Sequence, residues 1–151
     1  FPYRGPLTDE SLGMPRGRTP SQIGGGGVEA TFFPGRNLVM LASAFGIAAA
    51  RGIERIYFGA TAQDGSGYPD CRAGFLRAME DACSAGVGRE IELVTPLLGM
   101  SKARVALRGE ELGVPWDLTF SCYAPRGGEP CGTCDSCVLR GNALHRDGQS
   151  P

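Results

Sequence analysis

No stretch of this chain of 151 residues is apolar for long enough to form a membrane-crossing helix, so no membrane partner is expected. Charge of one sign is also missing. Fifteen Lys and Arg face sixteen Asp and Glu, a net −1, and so small a balance offers no basic field to attract nucleic acid. No signal-peptide pattern is visible, which argues against a secreted disulfide scaffold and makes a cytoplasmic location the expectation. Histidine is almost absent: His145 is the one copy, and its polar tail gives it no catalytic part. What the chain has instead is 24 Gly, 11 Pro and 6 Cys. Its length suits one domain with a core, and its glycines and prolines imply many turns, several of them shaping a site.

Four of the cysteines gather near the end. Cys131, Cys134 and Cys137 form C-x-x-C-x-x-C, and Cys122 precedes them across a turn rich in Pro and Gly. Zn²⁺ takes four soft ligands in a tetrahedron, with sulfur about 2.3 Å from the metal. Four thiolates fill that sphere and leave no position for water or substrate, so the spacing points to a structural site. An iron–sulfur cluster also uses four thiolates, but the ferredoxin run continues to a Cys-Pro that is absent here. Arg126 and Arg140 flank the cysteines and are placed to offset the charge of a four-thiolate site. Cys71 and Cys83 lack metal spacing, and Cys83 reads as a small core residue.

Residues 1–27 carry little apolar periodicity and include the run Gly24 to Gly27, so they read as a lead-in loop, or as a flap over a ligand. Val28–Phe33 alternates like an outer strand, and Asn37 is a plausible N-cap for a helix over 38–51 that Gly52 ends. A strand over 55–60, a polar glycine-rich loop over 61–70, a helix over 72–85, a strand over 91–95 and a helix over 102–112 capped by Ser101 follow. Asp70 is a candidate cap for the helix after it. Alternating strands and helices predict a parallel α/β sheet with right-handed crossovers, its ligands at the carboxyl ends of the strands. The units expected are the lead-in 1–27, an α/β core 28–121, a zinc-binding knuckle 122–140 and a tail 141–151. The strand over 55–60 is too apolar for an open edge and calls for a neighbour on each side.

Several motifs occur together and in order: Pro34-Gly35-Arg36-Asn37, then Asp64-Gly65-Ser66-Gly67-Tyr68-Pro69-Asp70-Cys71-Arg72, then Thr95-Pro96-Leu97 with Ser101-Lys102, then Ser121-Cys122-Tyr123 and the three closing cysteines. In this combination the sequence resembles the 7-cyano-7-deazaguanine synthases (QueC, also called ExsB) of queuosine biosynthesis, over roughly residues 30–140. The resemblance implies an adenine nucleotide alpha hydrolase-like fold (Rossmann-like, PP-loop) with a C-terminal zinc-binding tail of four cysteines. It implies an ATP-dependent ligase that converts 7-carboxy-7-deazaguanine and ammonia to the nitrile through an amide, with Mg²⁺, and a homodimer.

On that resemblance Arg36, Asp70, Arg72 and Lys102 are the catalytic candidates. Arg36 is suited to holding a carboxylate or phosphate in a bidentate grip, Arg72 and Lys102 to steadying phosphate charge. Asn37, Asp64, Ser66, Tyr68 and Asp70 are the candidates for binding the 7-deazapurine, with Asp64 and Asp70 also suited to Mg²⁺. The family's Ser-Gly-Gly-x-Asp-Ser loop, which cradles ATP phosphates, does not occur in the sequence. The expectation is therefore an incomplete fold, a truncated or split synthase whose N-terminal half lies elsewhere. The alternatives are a zinc-stapled binding or assembly module without turnover, and a related PP-loop enzyme with another substrate.

Overall fold

Leu41, Phe45 and Ala48 recur every three or four residues, the spacing that lines one face of an α-helix. In the computed structural model, which describes residues 3–25 and 27–144, they are the buried stripe of α1 (Arg36–Ala50). Gly52 beyond it has φ 70°, a left-handed conformation that lets the Ile53 N–H reach back to the Ala48 carbonyl and close the helix. The chain continues through β1 (Arg55–Tyr57), α2 (Ala62–Gly67), a 3-10 turn at Pro69–Cys71, α3 (Ala73–Val87), β2 (Glu92–Val94), α4 (Lys102–Glu111), a 3-10 turn at Trp116–Leu118 and α5 (Asp135–Leu144). Among the described residues no helix is long and apolar enough to cross a membrane.

The fold is α/β with a small parallel sheet. β1 and β2 pair in register, Arg55 with Glu92, Ile56 with Leu93 and Tyr57 with Val94. α1 and α3 pack on one another and on the sheet, and between them Leu41, Phe45, Leu76, Met79, Ile91 and Leu93 close the core. Burial of each large aliphatic or aromatic side chain contributes roughly 1.5–3 kcal/mol. Cys83 packs against this core, as its place in a helix suggests.

Three expectations need correction. The segment 28–33 is not a strand: the Phe32 N–H bonds back to the Glu29 carbonyl in a turn, and Glu29 and Thr31 face a cleft rather than a ladder partner. The sheet therefore has two strands among the described residues, and β1 pairs on one edge only, with Tyr57 68% exposed. Residues 61–70 are not a loop but α2 and a 3-10 turn, because Thr61 and Asp64 close a helix start between them. Asn37 is not the cap of α1. Gly35 holds that position at φ 78°, and Asn37 lies inside the first turn. Ser101 does cap α4, accepting the Arg104 N–H at 3.3 Å. Gly26 and His145 lie outside the described residues.

The link from α4 to the end of the chain depends on one glycine. A Cβ placed on Gly109 would sit 2.2 Å from Cζ2 of Trp116, so the indole rests directly on the helix backbone. Gly109→Ala is expected to displace the ring and lower Tm by about 3–10 °C, from an overpacking cost of roughly 1–3 kcal/mol. Trp116 is the one tryptophan of the chain, so its emission reports the same event. Gly86→Ala, whose Cβ would meet nothing within 4 Å, is the control expected to leave both unchanged or to raise Tm.

Candidate functional site

A cleft of about 270 Å³ opens between α2 on one side and α4 and α5 on the other. Glu29 and Thr31 line it from the turn before α1, Thr61, Gln63, Asp64 and Tyr68 from around α2, and Lys102, Val105 and Ala106 from α4. Trp116, Ser121, Tyr123 and, from α5, Asp135, Leu139, Arg140 and Ala143 also line it. The wall is mixed, with aromatic faces and a few convergent charges, as small-molecule sites commonly are.

On its wall Lys102 Nζ lies 3.0 Å from Asp64 Oδ1. The other carboxylate oxygen of Asp64 accepts both the Thr61 N–H, at 2.8 Å, and the Thr61 hydroxyl, at 2.7 Å. Burial pushes this carboxyl up, but the Lys102 charge and the Thr61 donors outweigh it and hold Asp64 below the usual carboxylate range. The Lys102 N–H at the start of α4 donates to Gln63 Oε1 at 3.0 Å, which ties α4 to α2. Tyr68 bonds through its hydroxyl to Thr31 Oγ1 at 2.6 Å, and burial pushes its phenol above the ordinary value. Arg140 donates to the Trp116 carbonyl at 2.6 Å and to Ser121 Oγ at 3.4 Å, fixing α5 over the cleft. The Trp116 indole nitrogen is buried without a hydrogen-bond partner among the described residues.

Of the residues singled out in the sequence, Asp64, Tyr68 and Lys102 meet on this wall. Arg36, Asn37, Ser66, Asp70 and Arg72 are not part of it. Asp70 is 6% exposed and accepts the Asn37 N–H at 3.2 Å, so its carboxylate sits at the N-terminus of α1, where the helix dipole favours it, rather than capping α3. Asn37 donates its amide to Cys71 Sγ at 3.4 Å. Arg72 is exposed and donates to the Gly65 carbonyl at 3.0 Å, and Ser66 turns back to the Gln63 carbonyl. Arg36 is half-buried, near enough to Cys71 and Tyr68 for its charge to act on both. Burial, with the charges of Asp70 and Asp64, pushes the Cys71 thiol up to about 11, so it is no thiolate nucleophile at neutral pH.

The four clustered cysteines come together in space. Their sulfurs all lie within 4.8 Å of one another, and Cys122 and Cys134 are 4.0 Å apart, close to the roughly 3.8 Å between sulfurs on a tetrahedral zinc. The Cys131 sulfur accepts the Cys134 N–H at 3.3 Å, and the Cys122 sulfur accepts the N–H groups of Ala124 and Cys131. Backbone donors at Thr133 and Cys134 pull the Cys131 thiol down to about 6, whereas burial and the adjoining sulfurs push Cys137 up to about 12. Four sulfurs so close favour a shared cation that lets all of them ionise, and the donor set fits zinc.

The sequence profile described as "Queuosine biosynthesis protein QueC" matches residues 4–148. The chain belongs to the QueC family. A 7-cyano-7-deazaguanine synthase of Anaeromyxobacter sp. (strain Fw109-5) is 45% identical over 139 residues, which are 89% of this chain and 59% of that protein. The synthase of Nostoc punctiforme is 41% identical over 139 residues, 89% of this chain and 61% of its own. That of Leptospira interrogans serovar copenhageni is 39% identical over 149 residues, 95% of this chain and 60% of its own. This QueC-family chain thus spans about 60% of the length of the curated relatives it matches. Its cleft also uses Glu29, Thr31, Trp116 and Arg140, none of which sequence reasoning had placed there. The signal for Glu29 and Thr31 is their polarity in an apolar stretch, an alternation that an outer strand shares.

Proposed function

We propose that this chain supplies the heterocycle-binding, metal-clamped portion of a 7-cyano-7-deazaguanine synthase, an ATP-dependent ligase acting on 7-carboxy-7-deazaguanine and ammonia. The observation that carries this reading is the convergence of Asp64, Tyr68 and Lys102, from two motifs separated in the sequence, on the wall of one cleft. Tyr68 and Trp116 offer aromatic faces to a planar heterocycle. Asp64 is placed to accept from its N–H groups. Lys102 supplies the cation for the substrate carboxylate or for the phosphate that activates it. That activation is needed because a carboxylate oxygen leaves only once it is esterified, after which ammonia adds, and a second activation removes the amide oxygen.

In this proposal Arg36 grips a carboxylate or phosphate from the start of α1, and Arg72 acts on phosphate charge from outside the cleft. Asp70 and Asn37 hold α1 to the 3-10 turn after α2 and so keep Arg36 in place. Ser66 lies against Gly24, whose Cβ would come 2.6 Å from the serine hydroxyl, and bears on the segment that borders the cleft. Cys122, Cys131, Cys134 and Cys137 hold a structural zinc. The phosphate-binding Ser-Gly-Gly-x-Asp-Ser segment and its Mg²⁺ are supplied beyond these 151 residues, either by more of the same protein or by a complementing N-terminal half. The edge of β1 that has no partner among the described residues supports this, as does the coverage of the relatives. A homodimer is the assembly the family suggests.

The test is to titrate the zinc-loaded chain with 7-carboxy-7-deazaguanine while following Trp116 emission, and then with MgATP. The heterocycle is expected to bind, MgATP to bind weakly, and nitrile to form from ammonia only after a polypeptide carrying the missing loop is added. Tight Mg²⁺-dependent ATP binding by the chain alone would defeat the divided site. A chain that ignores the heterocycle would defeat the whole reading, and heterocycle binding without turnover in the complemented mixture would favour a binding module.

A further inference from the structure

Two carboxylates that border the cleft have no part in the chemistry above. Glu29 and Asp135 both line it, with side chains only 8% and 13% exposed. Both are held by Arg18, a residue that does not line the cleft itself. The Arg18 Nη2 donates to Glu29 Oε2 at 2.5 Å and also to Asp135 Oδ2, and Nε donates to Asp135 Oδ1 at 3.0 Å. Hydrogen bonds to Asp135 and then to Glu29 raise the guanidinium pKa still further, so it is a fixed charge. Each end of the clasp is anchored. Asp135 lies between the sulfur residues Cys134 and Cys137, while the Glu29 N–H donates to the Gly67 carbonyl at 3.1 Å and its second oxygen accepts the Gly24 N–H.

Among the described residues carboxylates outnumber cations on the cleft wall, with Glu29, Asp64 and Asp135 against Lys102 and Arg140. Arg18 stands just behind two of the three and evens that balance. We infer that Arg18 is a positioning residue that sets the preference of the cleft for an anionic ligand, by drawing Glu29 and Asp135 together and cancelling charge they would otherwise turn on a carboxylate. The ligand half of this inference rests on the proposed substrate class, while the clasp rests on geometry alone. A purely structural ion pair would make no distinction between charged and neutral ligands, and that difference is measurable.

The experiment compares the zinc-loaded chain with Arg18→Gln and Arg18→Lys, using 7-carboxy-7-deazaguanine as the anionic probe and 7-cyano-7-deazaguanine as the neutral one. Arg18→Gln is expected to raise Kd for the carboxylate about tenfold and for the nitrile less than about threefold, the effect of one uncompensated charge at short range. Arg18→Lys recovers part of the loss, since it restores charge but not the fork. Adding Glu29→Gln to Arg18→Gln removes the exposed charge and returns the carboxylate affinity towards the starting value. Equal weakening of both probes, or no weakening, would overturn the charge assignment. Amide hydrogen exchange reads the clasp without any ligand: Gly24 and Glu29 lose protection in Arg18→Gln while the zinc stays bound. Unchanged protection there would overturn the clasp. If the unmodified chain binds neither probe, the substrate reading and the ligand half fail together, and exchange still decides the clasp.

Discussion

Cys134→Ser is expected to abolish stoichiometric zinc binding and to lower Tm by on the order of 10 °C or more. Cys134 is wholly buried. Its sulfur faces that of Cys122, its carbonyl accepts the Val138 N–H that opens α5, and its backbone bridges Arg16. A serine hydroxyl is a far weaker zinc ligand than a thiolate, and three sulfurs left crowded without a cation repel as they ionise. Because metal binding is coupled to folding, a loss of several kcal/mol of apparent stability follows, and each kcal/mol moves Tm by about 2–4 °C in a chain of this size. Elemental analysis and calorimetry on the same sample check both parts. Cys83→Ser, outside the cluster, keeps its zinc. A Cys134→Ser chain with unchanged metal content and melting point would remove the four-sulfur site from the description.

The helices were legible where their ends carried physical signals: Gly52, Gly88 and Gly113 all adopt the left-handed conformation that their place after α1, α3 and α4 requires. The cysteine cluster was legible because its spacing is local. Thr61 and Asp64 also carried a local signal, a hydroxyl followed three residues later by a carboxylate, but two glycines inside the segment obscured it. Residues 28–33 misled because alternation says nothing about whether a partner strand exists; here Glu29 turns to Arg18 and Thr31 to Tyr68. The clasp was not legible at all, since Arg18 and Asp135 are 117 positions apart and only the fold brings them together. For the same reason the sequence could not separate Asp64, which faces the cleft, from Asp70, six residues on and buried at the start of α1.

If 7-carboxy-7-deazaguanine is the ligand, as proposed, Lys102→Met is expected to weaken its binding by about 100-fold, since loss of a charge-assisted contact in a desolvated site costs roughly 2–5 kcal/mol. It also strands Asp64, and a loss of affinity alone would not say which effect is responsible. Stability against pH separates them. Asp64 titrates below its ordinary 3.8, so what it adds to stability is complete above that value and is lost as pH falls through the lower folded value. Asp64→Asn therefore lowers Tm at pH 7 by several degrees, and its gap to the unmodified chain narrows as pH falls below 3.8, as melting curves across that range will show. Lys102→Met lowers Tm at pH 7 further than Asp64→Asn, because it leaves a half-buried carboxylate without its cation. In the double variant the stranded charge is gone, so Tm returns to near that of Asp64→Asn. Its ligand affinity stays well below that of Asp64→Asn if Lys102 itself meets the ligand carboxylate. An affinity equal to that of Asp64→Asn would reduce Lys102 to a counter-ion for Asp64.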